Sequence, residues 1–208
     1  MNPMGSPDEV AIIQRLDGLI RRDKAIQSIE KAIATASAKL AADAGAGLAW
    51  EAIPLDVYGP EMPEMIQSSW VFILRSRSIS GAERHPNSHQ RMASYRGSGD
   101  FQICFQAPLQ NAGPLRWESN YLSSDPAADL SQRWVSIPPN TWHQGVTGHS
   151  DWVVVSFQTA PERELIEERP QQRSSFCIVW RERGCLAQFC ERVPQIMATD
   201  EQQAERAM

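Results

Sequence analysis

Hydrophobic positions change their period about a quarter of the way along the chain. In the first part apolar side chains fall at Val10, Ile13, Leu16 and Ile20, then at Ile26, Ile29, Ile33, Ala36 and Leu40. Steps of three and four place each set on one face of an α-helix. Between the sets, Arg21, Arg22, Asp23 and Lys24 form either a solvated helical face or a short break. The Ala- and Gly-rich stretch Ala41–Gly47 ends the helical part. The apolar stripe has two uses open to it: packing on the domain behind it, or pairing with a second copy of the chain as a homodimer.

From Trp50 the pattern becomes that of strands. Trp70–Ile79 begins as an apolar run and turns to alternation, and Phe101–Ala107 alternates throughout. Trp134–Ile137, Trp152–Phe157 and Phe176–Trp180 are further β-prone runs. Gly97-Ser98-Gly99, Asn111–Pro114 and Pro138-Pro139-Asn140 punctuate them as turns. Many short strands at turn-like spacing predict an all-β sandwich or barrel, antiparallel over residues 70–158, with helix confined mainly to the first 45 residues and the tail. The chain is thus expected to hold a helical extension (1–48), a β-barrel (49–182) and a polar C-terminal tail (183–208).

Composition narrows the function classes. The 208 residues carry 20 Lys and Arg against 25 Asp and Glu, a net charge of −5. An acidic chain has no long-range attraction for phosphate backbones, so nucleic acid is not an expected partner. No apolar run approaches the ~18 residues that span a bilayer, and the N-terminus lacks the order of a secretory signal, so no membrane partner is expected. Four cysteines do not suggest a disulfide scaffold and fit a reduced, cytoplasmic location. Cys185 and Cys190 lack the companions of a zinc site, and no nucleophilic triad, P-loop or dinucleotide fingerprint is present. Arg75, Arg77, Arg91 and Arg116 are cations of the β region, and any that points inward calls for an anionic partner.

The four histidines are His85, His89, His143 and His149. Residues two apart on a strand share a face, so Glu83 and His85 project together. Gln90 follows a Pro-Asn-Ser turn on the returning strand, and His143 follows a Pro-Pro-Asn-Thr-Trp run. Two hairpins could aim Glu83, His85, Gln90 and His143 at one point inside a barrel. Such a donor set suits one divalent ion: iron, manganese, nickel or zinc. His89 is a reserve ligand, His149 has no spacing support, and Tyr95 and Phe105 are candidates for the pocket wall.

These residues carry a resemblance to the cupin superfamily of small β-barrels. In its first motif, G-x5-H-x-H-x(3,4)-E-x6-G, His85 matches the second histidine and Gly97 the closing glycine. Glu83 stands for the first histidine, Gln90 for the glutamate and Arg77 for the opening glycine. In the second, G-x5-P-x-G-x2-H-x3-N, Pro138 and His143 match. Asn140 replaces the inner glycine, while Gln132 and Thr147 take the outer glycine and the asparagine. The resemblance spans residues 68–160. It implies a mainly β protein: a single antiparallel cupin-type β-barrel, or jelly roll, with an N-terminal helical extension. It also implies a metal-dependent enzyme acting on a small polar molecule, with non-haem oxygenase chemistry placed first. A redox-neutral isomerase or lyase and a non-catalytic ligand-binding or sensing barrel are the alternatives.

Overall fold

The computed structural model describes residues 5–104 and 117–169. Helix α1 (Pro7–Leu19) starts where the Ser6 hydroxyl accepts the Glu9 N–H and Pro7 opens the first turn. The charged stretch after it is a break, and α2 (Asp23–Ala42) follows. Arg75 closes α2: its guanidinium donates to the Leu40 and Asp43 carbonyls, at 2.7 and 3.0 Å.

Eight strands follow: β1 (Leu48–Ala52), β2 (Ser68–Leu74), β3 (Gln90–Arg96), β4 (Ser98–Cys104), β5 (Tyr121–Ser123), β6 (Trp134–Ile137), β7 (Trp142–Thr147) and β8 (Trp152–Gln158). They form a five-stranded sheet ordered β1-β2-β8-β3-β6 and a three-stranded sheet ordered β5-β4-β7. Every pairing is antiparallel. The sheets pack face to face: Leu74, Met92, Trp152 and Val154 of the large one share a core with Phe101, Ile103 and Leu122 of the small one.

The other face of the large sheet lies under the helices. Ile13, Leu16, Leu19, Ile29, Ile33, Ala36 and Leu40 pack with Val71, Ile73, Ala93, Val155 and Phe157. Both faces of β2 and β8 are therefore buried, which explains why they read as unbroken apolar runs. The stripe packs within the chain, except that Ile26 remains at the surface.

Several boundaries differ from the sequence expectation. β2 ends at Leu74 rather than Ile79, because the chain turns through Arg77 at φ 57°. A short helix, α3 (Leu130–Arg133), lies inside the β region; Asp129 and Gln132 supply a reciprocal cap. Phe105, Arg116, the Phe176–Trp180 run, Cys185, Cys190 and the 183–208 tail lie outside the described residues. Among the described residues no helix is long and apolar enough to cross a membrane.

Strand β3 alternates from Gln90 to Ser94, ahead of an irregularity in its pairing between Ser94 and Arg96, and this alternation builds the site. Gln90 and Met92 point between the sheets with Ser94, which bonds the Trp152 indole. Arg91, Ala93 and Tyr95 point to the helices. Arg91 meets Glu9 of α1 in a two-pronged ion pair at 2.6 and 2.7 Å, and Ser136 donates to the same carboxylate at 2.8 Å. Burial opposes the charge on Glu9, but these bonds and cations outweigh it and hold its carboxyl below the usual range.

Candidate metal centre

Glu83 and His143 face each other across an antiparallel bridge, exchanging both backbone hydrogen bonds at 2.9 Å. Side chains of such a pair leave the same face. Two residues on, His85 shares the face of Glu83, and one donor atom from each of Glu83, His85 and His143 lies within 4.8 Å of the others. His143 Nε2 is 3.5 Å from a Glu83 carboxylate oxygen. Donors around a metal with bonds of about 2.0–2.2 Å stand roughly 3–4 Å apart, so this separation is within that range.

Both imidazoles are oriented from behind. His143 Nδ1 lies 2.9 Å from the Thr141 carbonyl, and His85 Nδ1 lies 3.1 Å from the Ile166 carbonyl. A carbonyl only accepts, so each Nδ1 carries the proton and each neutral ring keeps its lone pair on Nε2. Phe101 stacks on His143 with centroids 5.6 Å apart, fixing the ring plane.

The site is dry. His143 is 1% exposed and His85 5%. Burial pushes the His85 pKa down, the neighbouring His143 adds to this, and Glu83 only partly opposes it. Burial also disfavours the Glu83 carboxylate, yet His143, His85 and Arg169 outweigh that and leave its pKa lowered.

Gln90 points into the same small cavity of about 20 Å³, which Glu83 and His143 also line. Gln90 Nε2 donates to the Ser156 hydroxyl at 3.1 Å. Its Oε1 and His143 Nε2 are both buried without a hydrogen-bond partner. Two orphaned acceptors beside a carboxylate are costly unless a cation or a proton donor meets them. The donor chemistry therefore fits a divalent ion. Leu48, Phe72, Leu74, Met92 and Phe101 complete the walls.

His89 and Tyr95 fall elsewhere, for one geometric reason. Each is an odd number of residues from Gln90, so the pleat turns it away from the cavity. His89 Nε2 lies 2.7 Å from the Ser136 hydroxyl and 3.6 Å from Glu9, beneath α1. Tyr95 packs on the helical core, where burial and Glu30 raise its pKa. His149 lies 3.2 Å from the Arg77 guanidinium. Of the sequence-proposed cations among the described residues, Arg91 is the fully buried one, and its anionic partner is Glu9 rather than a ligand.

One contributor had no signal in the sequence. Residues 164–169 form a strap beside the segment that carries Glu83 and His85. Arg84 and Glu168 exchange backbone bonds at 3.0 Å and pair through their side chains at 2.6 Å. Asn87 donates to the Glu164 carbonyl at 2.7 Å and accepts the Ile166 N–H at 3.0 Å. At the end of the strap, Arg169 binds the second Glu83 oxygen at 2.8 Å.

The turns around the centre explain the departures from the motifs. Among the described residues, Arg77 and Asn140 are the non-glycine residues with positive φ, at 57° and 64°. They occupy two of the positions where the cupin motifs carry glycine. Gly97, at the closing glycine, has φ 81°. The backbone thus keeps the left-handed turns although two side chains have changed. Two facing antiparallel sheets with these turns beside the bridge make an antiparallel β-sandwich of the kind that the resemblance to the cupin superfamily implies.

No family model matches the chain, nor does the sequence of any curated protein. Solved structures overlap with it in part. The 11S globulin from Wrightia tinctoria, described with an auxin binding site, is 14% identical over 59% of this chain and 27% of its own, with a TM-score of 0.43. Oxalate oxidase in complex with the substrate analogue glycolate is 12% identical over 58% of this chain and 54% of its own, at 0.42. Recombinant pro-11S globulin of pumpkin is 16% identical over 59% of this chain and 28% of its own, also at 0.42. The chain spans 27% to 54% of the length of these proteins.

Proposed function

We propose that the protein is a metal-dependent enzyme that holds one divalent ion on Glu83, His85 and His143 and acts on a small polar molecule by non-haem oxygenase chemistry. The observation that carries this reading is the buried, unpartnered Nε2 of His143, 3.5 Å from the Glu83 carboxylate. A ring nitrogen there, with its proton committed to Thr141 on the other side, is a ligand without a Lewis acid.

Two histidines and one carboxylate leave coordination positions open, and a redox-active ion in such a set supplies electrons to substrate chemistry. The protein residues do the rest. Glu83 supplies one negative charge, and the Thr141 and Ile166 carbonyls aim the rings by accepting from Nδ1. Gln90 Oε1 accepts a hydrogen bond from a polar group in the cavity, and the apolar walls exclude bulk water.

Oxygenase chemistry is favoured over isomerisation by what lines the cavity. Apart from Glu83 and His143, no titratable side chain among the described residues does so. With both engaged as ligands, none remains to move a substrate proton, which a redox-neutral isomerase needs.

The test is elemental analysis of the purified chain, followed by oxygen uptake of the Fe(II)-loaded protein with a panel of small polar molecules, using His143→Ala as control. The expected result is about one metal per chain and substrate-dependent uptake that the variant lacks. Absence of stoichiometric metal overturns the reading. Full metal with anaerobic turnover would establish the isomerase or lyase instead.

A further inference from the structure

Arg169 is where the candidate metal centre meets solvent. Its side chain is 48% exposed, whereas that of Glu83 is 15% exposed. The two Glu83 oxygens divide their contacts: one lies 3.5 Å from His143 Nε2, and the other accepts from Arg169 at 2.8 Å. Arg169 Nε also bonds Glu167 at 2.7 Å, and Nη1 reaches the Ser80 carbonyl at 3.3 Å. A guanidinium has five N–H donors in a fixed fork, and these contacts engage three. Donors therefore remain at the rim of the cavity, beside the carboxylate that would hold the ion.

Charge gives these donors a purpose. The imidazoles and Gln90 are neutral, so a divalent ion, Glu83, Arg169 and Glu167 together leave a surplus of one positive charge. A positive surplus beside a guanidinium with donors to spare is complemented by an anion. The walls specify its kind. Leu48, Phe72, Leu74, Met92 and Phe101 offer no partners for a polyhydroxylated or phosphorylated molecule, and the cavity is small.

Resting on the metal-site reading, we infer that Arg169 is the anion-recognising residue of this centre and that the molecule it takes is a small organic carboxylate. One carboxylate oxygen meets the open face of the ion, and the other lies within the Arg169 fork. The strap sets the position of the fork: the Arg84–Glu168 bridge and the Asn87 amide hold residues 164–168, and Arg169 reaches Ser80 and Glu83, which line the cavity.

The experiment uses the full chain loaded with Co(II), whose visible band reports its ligands without turnover. Acetate, acetamide and inorganic phosphate are titrated into the wild type, Arg169→Gln and Arg169→Lys. Acetate is expected to shift the band saturably; acetamide, which offers the guanidinium no charge, and phosphate, whose further oxygens the apolar walls leave without partners, should do so at least about tenfold more weakly. Arg169→Gln should weaken acetate about tenfold while keeping cobalt stoichiometry and the acetamide response, and Arg169→Lys should recover part of the loss. Equal acetate affinity in Arg169→Gln overturns the inference, as does tighter binding of phosphate. Loss of cobalt from Arg169→Gln also overturns it, because Arg169 would then hold Glu83 in place rather than recognise a ligand. If the wild type takes up no cobalt, the metal-site reading itself has failed.

Discussion

Glu83 and His143 are bonded to each other twice through the main chain, and their side chains converge at 3.5 Å on the same side of the bridge. The centre is thus anchored by a cross-strand pair rather than by loops. His143→Ala should reduce bound metal from about one per chain to background, measured by elemental analysis, because it leaves only Glu83 and His85 of the three-donor cluster. Its thermal midpoint should fall less than that of a core variant such as Ile29→Ala.

The strap gives a second, gentler handle. Asn87→Ala removes both bonds to the strap backbone, and with them the restraint on the Ile166 carbonyl that orients His85. Metal affinity should drop about tenfold, as for other partners that orient a ligating histidine. Competition with a chelator measures it, and an unchanged affinity would mean His85 needs no such support.

The helices are tied to the sheet by a buried charge as well as by apolar contact. Glu9→Ala leaves the Arg91 guanidinium, 2% exposed, without its anion, and should cost about 3 kcal/mol or more in urea unfolding. Replacing both residues, Glu9→Leu with Arg91→Met, should recover most of that loss. Deleting residues 1–45 removes Glu9 and bares Val71, Ile73, Val155 and Phe157, so the truncated chain should aggregate.

Acid should destabilise the fold in two stages. Burial lowers the pKa of His85 and His89, so the unfolded chain takes up their protons first, and stability falls as pH drops below about 6.5. Glu9, Asp17 and Glu83 have lowered pKa values, so their contribution is present above about 4.5 and is lost as pH falls through their folded values. Urea midpoints measured across this range should show both steps in the metal-free protein. A flat profile between pH 7 and 5 would contradict the buried, neutral histidines.

The left-handed turns predict opposite effects at neighbouring motifs. Asn140→Val should cost about 1–2 kcal/mol, because a β-branched side chain is strained at φ 64°, whereas Asn140→Gly should be nearly neutral. Gly97→Ala is worse placed, since its Cβ would come 2.8 Å from the Asp151 carbonyl.

What the sequence made legible follows its periodicities. The stripe through Ile29, Ile33 and Leu40 marked α2, and the two-residue step from Glu83 to His85 put both side chains on one face, as the structure has them. The same alternation, applied to β3, turns His89 and Tyr95 away from Gln90, because motif spacing and distance along the chain carry no information on which face a residue takes. Arg169 and the strap could not be read at all. Their contacts join residues more than 75 positions apart, and no local pattern encodes a backbone carbonyl that happens to face a ring nitrogen.

The single layer of β3 separates two environments that cannot change independently. Insertion of one residue between Gln90 and Ser94 would exchange the faces beyond it, carrying a guanidinium or a phenol toward the cavity and an apolar side chain under α1. Insertions of two would keep each side chain on its own side. A one-residue change of length in this stretch would thus disturb the residues beneath α1 as much as those that face the candidate metal.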